Sequence, residues 1–118
     1  MDNRSQNLVL QLLKKTNEGK LIWTTAFEDG QFKTVLPTGE LAFVVQVKDD
    51  KRRFLMLDDR LEPVVDETVT IAEIEKEPAH HPKLMLYNSI GNLQQSARAQ
   101  ALQVDAKLDK AEKLLASI

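Results

Sequence analysis

Residues 41–47, with the sequence LAFVVQV, decide the fold because they would make a β-strand that is apolar on both sides. Successive side chains of a strand point to opposite faces of a sheet. One face of this segment carries Leu41, Phe43, Val45 and Val47, and the other carries Ala42, Val44 and Gln46. Such residues favour strands, and a short apolar run of this kind is typical of a fully buried strand. We therefore predict that residues 41–47 form the central strand of a sheet.

The residues on either side predict a sheet with short connections. A strand from Leu21, the turn EDG, the strand QFKTVL at 31–36 and the turn PTGE precede the central strand. The turn KDDK, the strand RRFLML at 52–57 and a weaker strand near 62–65 follow it. Connections this short join antiparallel neighbours. We predict an antiparallel β-meander of four to five strands within residues 20–66.

Two helices are predicted to flank the sheet. Residues 1–19 carry Leu8 and Leu12 one turn apart on an amphipathic stripe, and Gly19 is placed to end that helix. Residues 82–118 carry apolar side chains at spacings of four and three, namely Leu86, Ile90, Leu93, Ala97, Ala101, Val104, Leu108, Ala111 and Leu115. This spacing predicts one long helix over the C-terminal third of the chain.

The connector at 67–81 gives no single prediction. Its sequence TVTIAEIEKEP fits a further strand or one turn of helix, so residues 67–78 stay open between the two.

A chain of 118 residues is long enough to bury a core without disulfides or metals. We predict a single α+β domain over 1–118, with an N-terminal helix, an antiparallel meander and a long C-terminal helix.

Charge and composition argue against several classes of partner. Lys and Arg number 16 against 18 for Asp and Glu, and this net charge of -2 does not attract nucleic acid or anionic lipid. No apolar run is long enough to span a bilayer, and the first residues lack the order of a secretory signal. The absence of cysteine suits a reducing compartment. We predict a cytoplasmic protein with neither a nucleic-acid nor a membrane partner.

The two histidines, His80 and His81, lie between Pro78 and Pro82, just before the long helical pattern. Adjacent histidines point in different directions on a regular backbone, so they do not face one metal ion together. Pro82 suits the first position of a helix, where its missing N–H costs nothing. We interpret the pair as a surface helix entry, with metal binding or acid–base work as the less favoured alternative.

No constellation of catalytic residues stands out. The sequence has no phosphate loop, dinucleotide-binding glycine pattern, nucleophile elbow or zinc spacing. The paired aspartates at 49–50 and 58–59 are typical of turns, although paired carboxylates can also bind Mg²⁺ or Ca²⁺. The basic cluster Lys48, Lys51, Arg52 and Arg53 lacks interleaved aromatic residues and is interpreted as solvated edge charge. We predict a protein that is not an enzyme and has no catalytic residue, cofactor or metal.

The C-terminal helix is predicted to be longer than the sheet that it covers. At 1.5 Å per residue it spans about 50 Å, roughly twice the width of five strands spaced about 4.8 Å apart. The projecting end would expose a seam formed by Val104, Leu108, Ala111 and Leu115. Either the N-terminal helix or another chain covers this seam, and we favour another chain, as a homodimer or with a different protein. Gly91 is the expected weak point of the helix.

A small-molecule binding protein is the alternative to an interaction module. A pocket between sheet and helices would be lined by Trp23, Tyr87 and Arg98, with His80 or His81 as a further candidate, and could take a small molecule or nucleotide. Each residue also has an ordinary structural interpretation. A tryptophan on an alternating strand is more often core, and an arginine on a long helix is more often exposed.

The segments LLKKTNEGKLIW and LYNSIGNLQQSARAQALQVDAKLDKAEKLL carry a resemblance at the level of a family. The chain resembles a group of small uncharacterised bacterial proteins with a leucine-rich N-terminal helix, a Gly-Lys-Leu-x-Trp strand, a meander and a long C-terminal helix. The resemblance covers most of the chain and implies the same α+β fold. It implies no activity, and no functional residue is carried over from it.

Overall fold

A computed structural model describes residues 4–26, 28, 30–75 and 83–118, and at positions 104 and 105 it describes the helical backbone alone. The described chain is an α+β structure with an N-terminal helix, a five-stranded antiparallel sheet and a long C-terminal helix, as predicted. The elements are α1 (Arg4–Asn17), β1 (Thr24–Thr25), β2 (Gln31–Val35), β3 (Ala42–Lys48), β4 (Lys51–Leu57), β5 (Pro63–Thr70), α2 (Ile71–Glu75) and α3 (Leu84–Ala116).

The sheet has the order β1-β2-β3-β4-β5, with every neighbouring pair antiparallel. The central position of β3, predicted from its two apolar faces, is therefore confirmed. Val45 pairs with Phe32 on one side and with Phe54 on the other, and its side chain is fully buried.

Two strand lengths differ from the prediction. The alternation from Leu21 predicted a full first strand, but β1 contains only Thr24–Thr25. The preceding backbone is bonded by a side chain instead: the N–H of Trp23 donates to Oε1 of Gln100 at 2.6 Å, and Nε2 of Gln100 donates to the carbonyl of Leu21. Hydrogen bonds to a neighbouring strand are not needed where a helix side chain already bonds these backbone N–H and C=O groups.

The last strand is longer than its sequence predicts. β5 passes the expected end of the sheet at 66 and continues to Thr70, because its partner strand β4 offers backbone groups as far as Lys51. The short helix α2 follows directly at Ile71–Glu75. Of the segment 67–78 that the sequence left open between strand and helix, the described residues 67–75 are therefore strand first and helix second, and residues 76–78 lie outside the described part.

The two long helices pack on one face of the sheet, and none of the described helices packs on the other. The register places Phe32, Val45 and Phe54 together on the covered face, where α1 and α3 pack. The core also takes in residues of both helices, among them Val9, Leu12, Leu86, Ile90, Leu93 and Ala97. We call the opposite side the outer face; its central row contains the cross-strand partners Lys33, Val44, Leu55 and Asp66.

The path of α3 across the sheet follows from three contacts. Near its start, the carbonyl of Tyr87 accepts a hydrogen bond from Arg52 of β4 at 2.8 Å. Further along, Gln94 donates to the carbonyl of Gly30, just before β2, at 3.3 Å, and Gln100 bonds the backbone before β1. The helix thus crosses from β4 to the β1 edge and then leaves the sheet. The long dimension of the molecule, 60 Å, reflects this projection.

Candidate functional site

The projecting end of α3 is the most unusual surface of the molecule. We call residues 102–116 the overhang. Among the side chains that the structure describes, Ala101 is the last buried one in α3, and every side chain described in the overhang is exposed. Leu108 is 57% exposed and Leu115 is 71% exposed. None of the described helices is long and apolar enough to cross a membrane.

The structure places the predicted seam on this overhang. Leu108, Ala111 and Leu115 are all exposed, so α1 does not cover them. Val104 is helical, and its side chain is outside the described part of the structure. The alternative in which the N-terminal helix buries the seam is therefore wrong for the three described residues.

The seam continues the buried stripe of α3 without changing direction. At 100° per residue, the seam positions project on average to the same side of the helix as Ile90, Leu93 and Ala97, which are fully buried. From Ala101 to Leu115 the apolar spacing is three, four, three and four, the pattern of helices that pack against a partner. The overhang therefore carries the apolar pattern of a core helix on side chains that, where described, are exposed.

The outer face of the sheet also carries exposed apolar side chains. Val35, Leu61 and Val64 are all more than half exposed there or at its margin. A shallow groove of about 410 Å³ lies elsewhere, between α1 and the sheet, whereas the groove on the outer face is larger, at about 570 Å³. The outer groove runs from Thr25 at β1 to Leu61 after β4, over Val44 and Leu55.

Leu61 adopts a backbone conformation that leucine rarely takes. Its φ is 64°, in the left-handed region, where an L side chain costs roughly 1–2 kcal/mol. The turn is fixed by Asp58, whose carboxylate accepts the N–H groups of Arg60 and Glu62, each at 2.9 Å. Glycine or asparagine would fit this position better, yet the chain places a 62% exposed leucine at the end of the outer groove.

The three residues predicted to line a pocket are not brought together in any of the grooves described. Trp23 is fully buried, and its indole N–H donates to Oγ1 of Thr16 at 2.8 Å. Tyr87 lies under the guanidinium of Arg52, and Arg98 is exposed on α3. The groove between α1 and the sheet is lined instead by apolar residues such as Leu12, Leu36, Leu41 and Phe43, with Lys14 at its margin.

Arg52 departs from the prediction of solvated edge charge. Its side chain lies on the covered face, 3.8 Å above the centre of the Tyr87 ring, where it also donates to the Tyr87 carbonyl. Gly91 makes room for it, because a Cβ atom built there would lie 2.2 Å from Nη1 of Arg52. α3 continues through Gly91 without interruption. This glycine therefore provides space for the Arg52 side chain and does not break the helix.

Gly91→Ala is expected to lower the free energy of unfolding by about 1 kcal/mol, although the same change usually stabilises a helix by about that amount. The new methyl group would displace Arg52 and remove its hydrogen bond and its cation–π contact with Tyr87. In an Arg52→Ala background the same change should stabilise the protein. Urea unfolding of the wild type, the two single variants and the double variant measures this reversal, and equal effects in both backgrounds would contradict it.

The other basic residues of the cluster lie in two places: Arg53 on the outer face, and Lys48 and Lys51 at the end of the β3–β4 hairpin. Arg53 donates to both carboxylate oxygens of Asp66, at 3.1 and 2.9 Å. This hydrogen bonding lowers the pKa of Asp66 and raises the pKa of Arg53. Lys48 and Lys51 are cross-strand partners at the end of the β3–β4 hairpin and are exposed, as predicted for solvated charge, but β3 and β4 are interior strands, so these two residues do not lie on an edge strand.

The carboxylate pairs at 49–50 and 58–59 belong to turns. Asp49 has a φ of 54°, and Asp58 caps its own turn as described above. Within the described residues, no group of three or more His, Cys, Asp or Glu side chains is placed to bind a metal ion. His80 and His81, with Pro78 and Pro82, lie outside the described residues, so their predicted role as a helix entry stays a prediction.

Comparison with known proteins adds no relative. No protein-family model, no curated protein and no solved structure matches the chain. The resemblance to small bacterial proteins therefore stays a prediction, and the function must be argued from the surfaces themselves.

Proposed function

We propose that this protein is a non-enzymatic self-association module that assembles through the overhang of α3. One observation carries the proposal: the stripe that is buried as far as Ala101 continues for four more turns of α3, and every side chain described on those turns is exposed. A surface of this kind is costly for a monomer to expose to water. The proposal is supported by the exposed apolar seam. It does not rest on a pocket that holds a nucleophile or an acid–base pair.

The energetics favour covering the seam. Burial of a leucine side chain contributes about 1.5–3 kcal/mol, and Leu108 and Leu115 are each more than half exposed. In a dimer, each of the two chains would bury its own Leu108 and Leu115. Isolated helices of about 15 residues are marginal in water, so a partner would also stabilise the helical state of the overhang itself.

Leu108→Glu is expected to convert a dimer into a monomer. A carboxylate at the middle of the seam would have to be buried without a partner, which costs more than the lost leucine contact. The sheet should be unaffected, because Leu108 contacts none of the core. Light scattering measures the mass, and circular dichroism measures whether the fold is kept.

Gln103→Glu is the matched control for this experiment. It introduces the same single negative charge on the same exposed stretch of α3, about 140° around the helix from Leu108. The control should remain dimeric. A wild-type protein that is monomeric at high micromolar concentration would rule out self-association before any variant is made.

A further inference from the structure

We infer that the overhang of one chain packs in the groove on the outer face of a second copy, and that the second overhang packs reciprocally on the first. This inference rests on the proposed self-association and specifies the surface that receives the seam. Two apolar surfaces of the described residues face water: the seam of the overhang, and the outer groove, where Val44 (7% exposed) and Leu55 (9% exposed) form the floor and Leu61 is exposed at one end. A helix and a sheet face commonly pack against each other.

The direction of the overhang permits this arrangement. α3 leaves the sheet at the β1 edge, at the height of the helix layer, with its seam turned toward the side on which its own sheet lies. A second copy rotated by 180° about an axis that is parallel to β1 and lies just outside this edge strand presents its outer face to that seam. The same rotation places the second overhang beneath the outer face of the first chain. One symmetric interface, typical of dimers with two-fold symmetry, therefore covers all four surfaces.

The outer groove matches the helix in direction and length. It crosses the strands from β1 to the turn after β4, and α3 likewise crosses the strands of the covered face, between β4 and the β1 edge. Leu61 lies about four strand spacings from the axis, or about 19 Å. At 1.5 Å per residue, that distance corresponds to about 13 residues beyond Ala101. Leu61 of one chain thus lies opposite Leu115 of the other.

The area to be buried favours helix-on-sheet packing over a pair of helices. The overhang presents a strip about 22 Å long and about 10 Å wide. Pairing two overhangs covers one strip on each chain, about 450 Å² in total, whereas reciprocal packing covers two strips on each chain, about 900 Å². A specific interface needs roughly 1,000 Å², so the reciprocal arrangement comes close to this size and the helix pair does not.

The strained turn at Leu61 supports the same conclusion. A leucine in the left-handed region weakens the folded monomer, and its 62% exposed side chain contributes little to the chain's own core. In the dimer, that side chain closes the end of the groove over the partner's overhang. Assembly therefore accounts for a residue that the isolated fold does not favour.

Leu61→Asn tests the receiving surface. Asparagine tolerates the left-handed conformation, so the variant should fold at least as well as the wild type. The loss of the apolar side chain should raise the dissociation constant of the dimer by about tenfold or more. Analytical ultracentrifugation measures the association, and thermal unfolding of Leu61→Asn in the monomeric Leu108→Glu background measures the fold. An unchanged dissociation constant would overturn the inference.

Engineered cysteines give a second, independent measurement, because the chain has no cysteine of its own. Mild oxidation of the double variant Leu61→Cys/Leu115→Cys should produce a covalent dimer, and neither single variant should do so. Cross-linking of Leu115→Cys alone, or no cross-link in the double variant, would show that the overhang packs elsewhere. If Leu108→Glu dissociates the dimer while both of these tests fail, self-association stands and the outer face is not its site.

Discussion

Replacing Val45 with aspartate is expected to unfold the domain. Val45 is fully buried between its cross-strand partners Phe32 and Phe54, beneath the helix layer. An aspartate there would lie in an apolar site, and the nearest acidic neighbour in the same row is Glu67, which adds like charge. Burial of an unpaired carboxylate costs several kcal/mol, a large part of the roughly 5–15 kcal/mol that stabilises a typical domain.

Val35→Asp is the matched control for this prediction. It makes the same chemical change in the neighbouring strand β2, where the valine is 52% exposed. The control should keep its sheet signal in circular dichroism and melt cooperatively near the wild-type temperature. A soluble Val45→Asp protein with the same melting behaviour would contradict the central position of β3.

The central strand could be predicted because its pattern needs no tertiary information. A segment that is apolar on both faces fits only the interior of a sheet, and the turns beside it allow only antiparallel neighbours. The first strand was predicted too long because the alternation at Leu21 and Trp23 reflects burial and not a ladder. Gln100, about eighty residues away in the chain, bonds their backbone, and no local pattern indicates such a contact.

The candidate site was only partly predictable, for a similar reason. Comparing the length of the helix with the width of the sheet is enough to predict an overhang, and α3 with 33 residues has one. The receiving groove depends on which residues share the outer face, and so on the register of four strands. The left-handed conformation of Leu61 and the close approach of Arg52 to Gly91 depend on residues that are distant in the chain. Neither could therefore be predicted from the local sequence pattern.

Gly30→Ala is expected to lower the free energy of unfolding by about 3 kcal/mol or more. Gly30 has a φ of 71°, which by itself costs an alanine roughly 1–2 kcal/mol. In addition, a Cβ atom there would lie 2.2 Å from the carbonyl oxygen of Val47, which is backbone of the central strand and has no side-chain freedom to move away. The carbonyl of Gly30 also accepts hydrogen bonds from the N–H of Val47 and from Gln94, so a shift of this turn disturbs both sheet and α3.

Gly39→Ala separates the two contributions to this loss. Gly39 has nearly the same φ, 77°, in another hairpin turn, but no atom lies within 4 Å of the position of its missing Cβ. The control should therefore lose only the conformational part, roughly 1–2 kcal/mol. Urea unfolding of both variants gives the difference, which measures the steric contribution of the contact between the turn and β3. Equal losses in the two variants would mean that the approach of Gly30 to Val47 does not constrain the sheet.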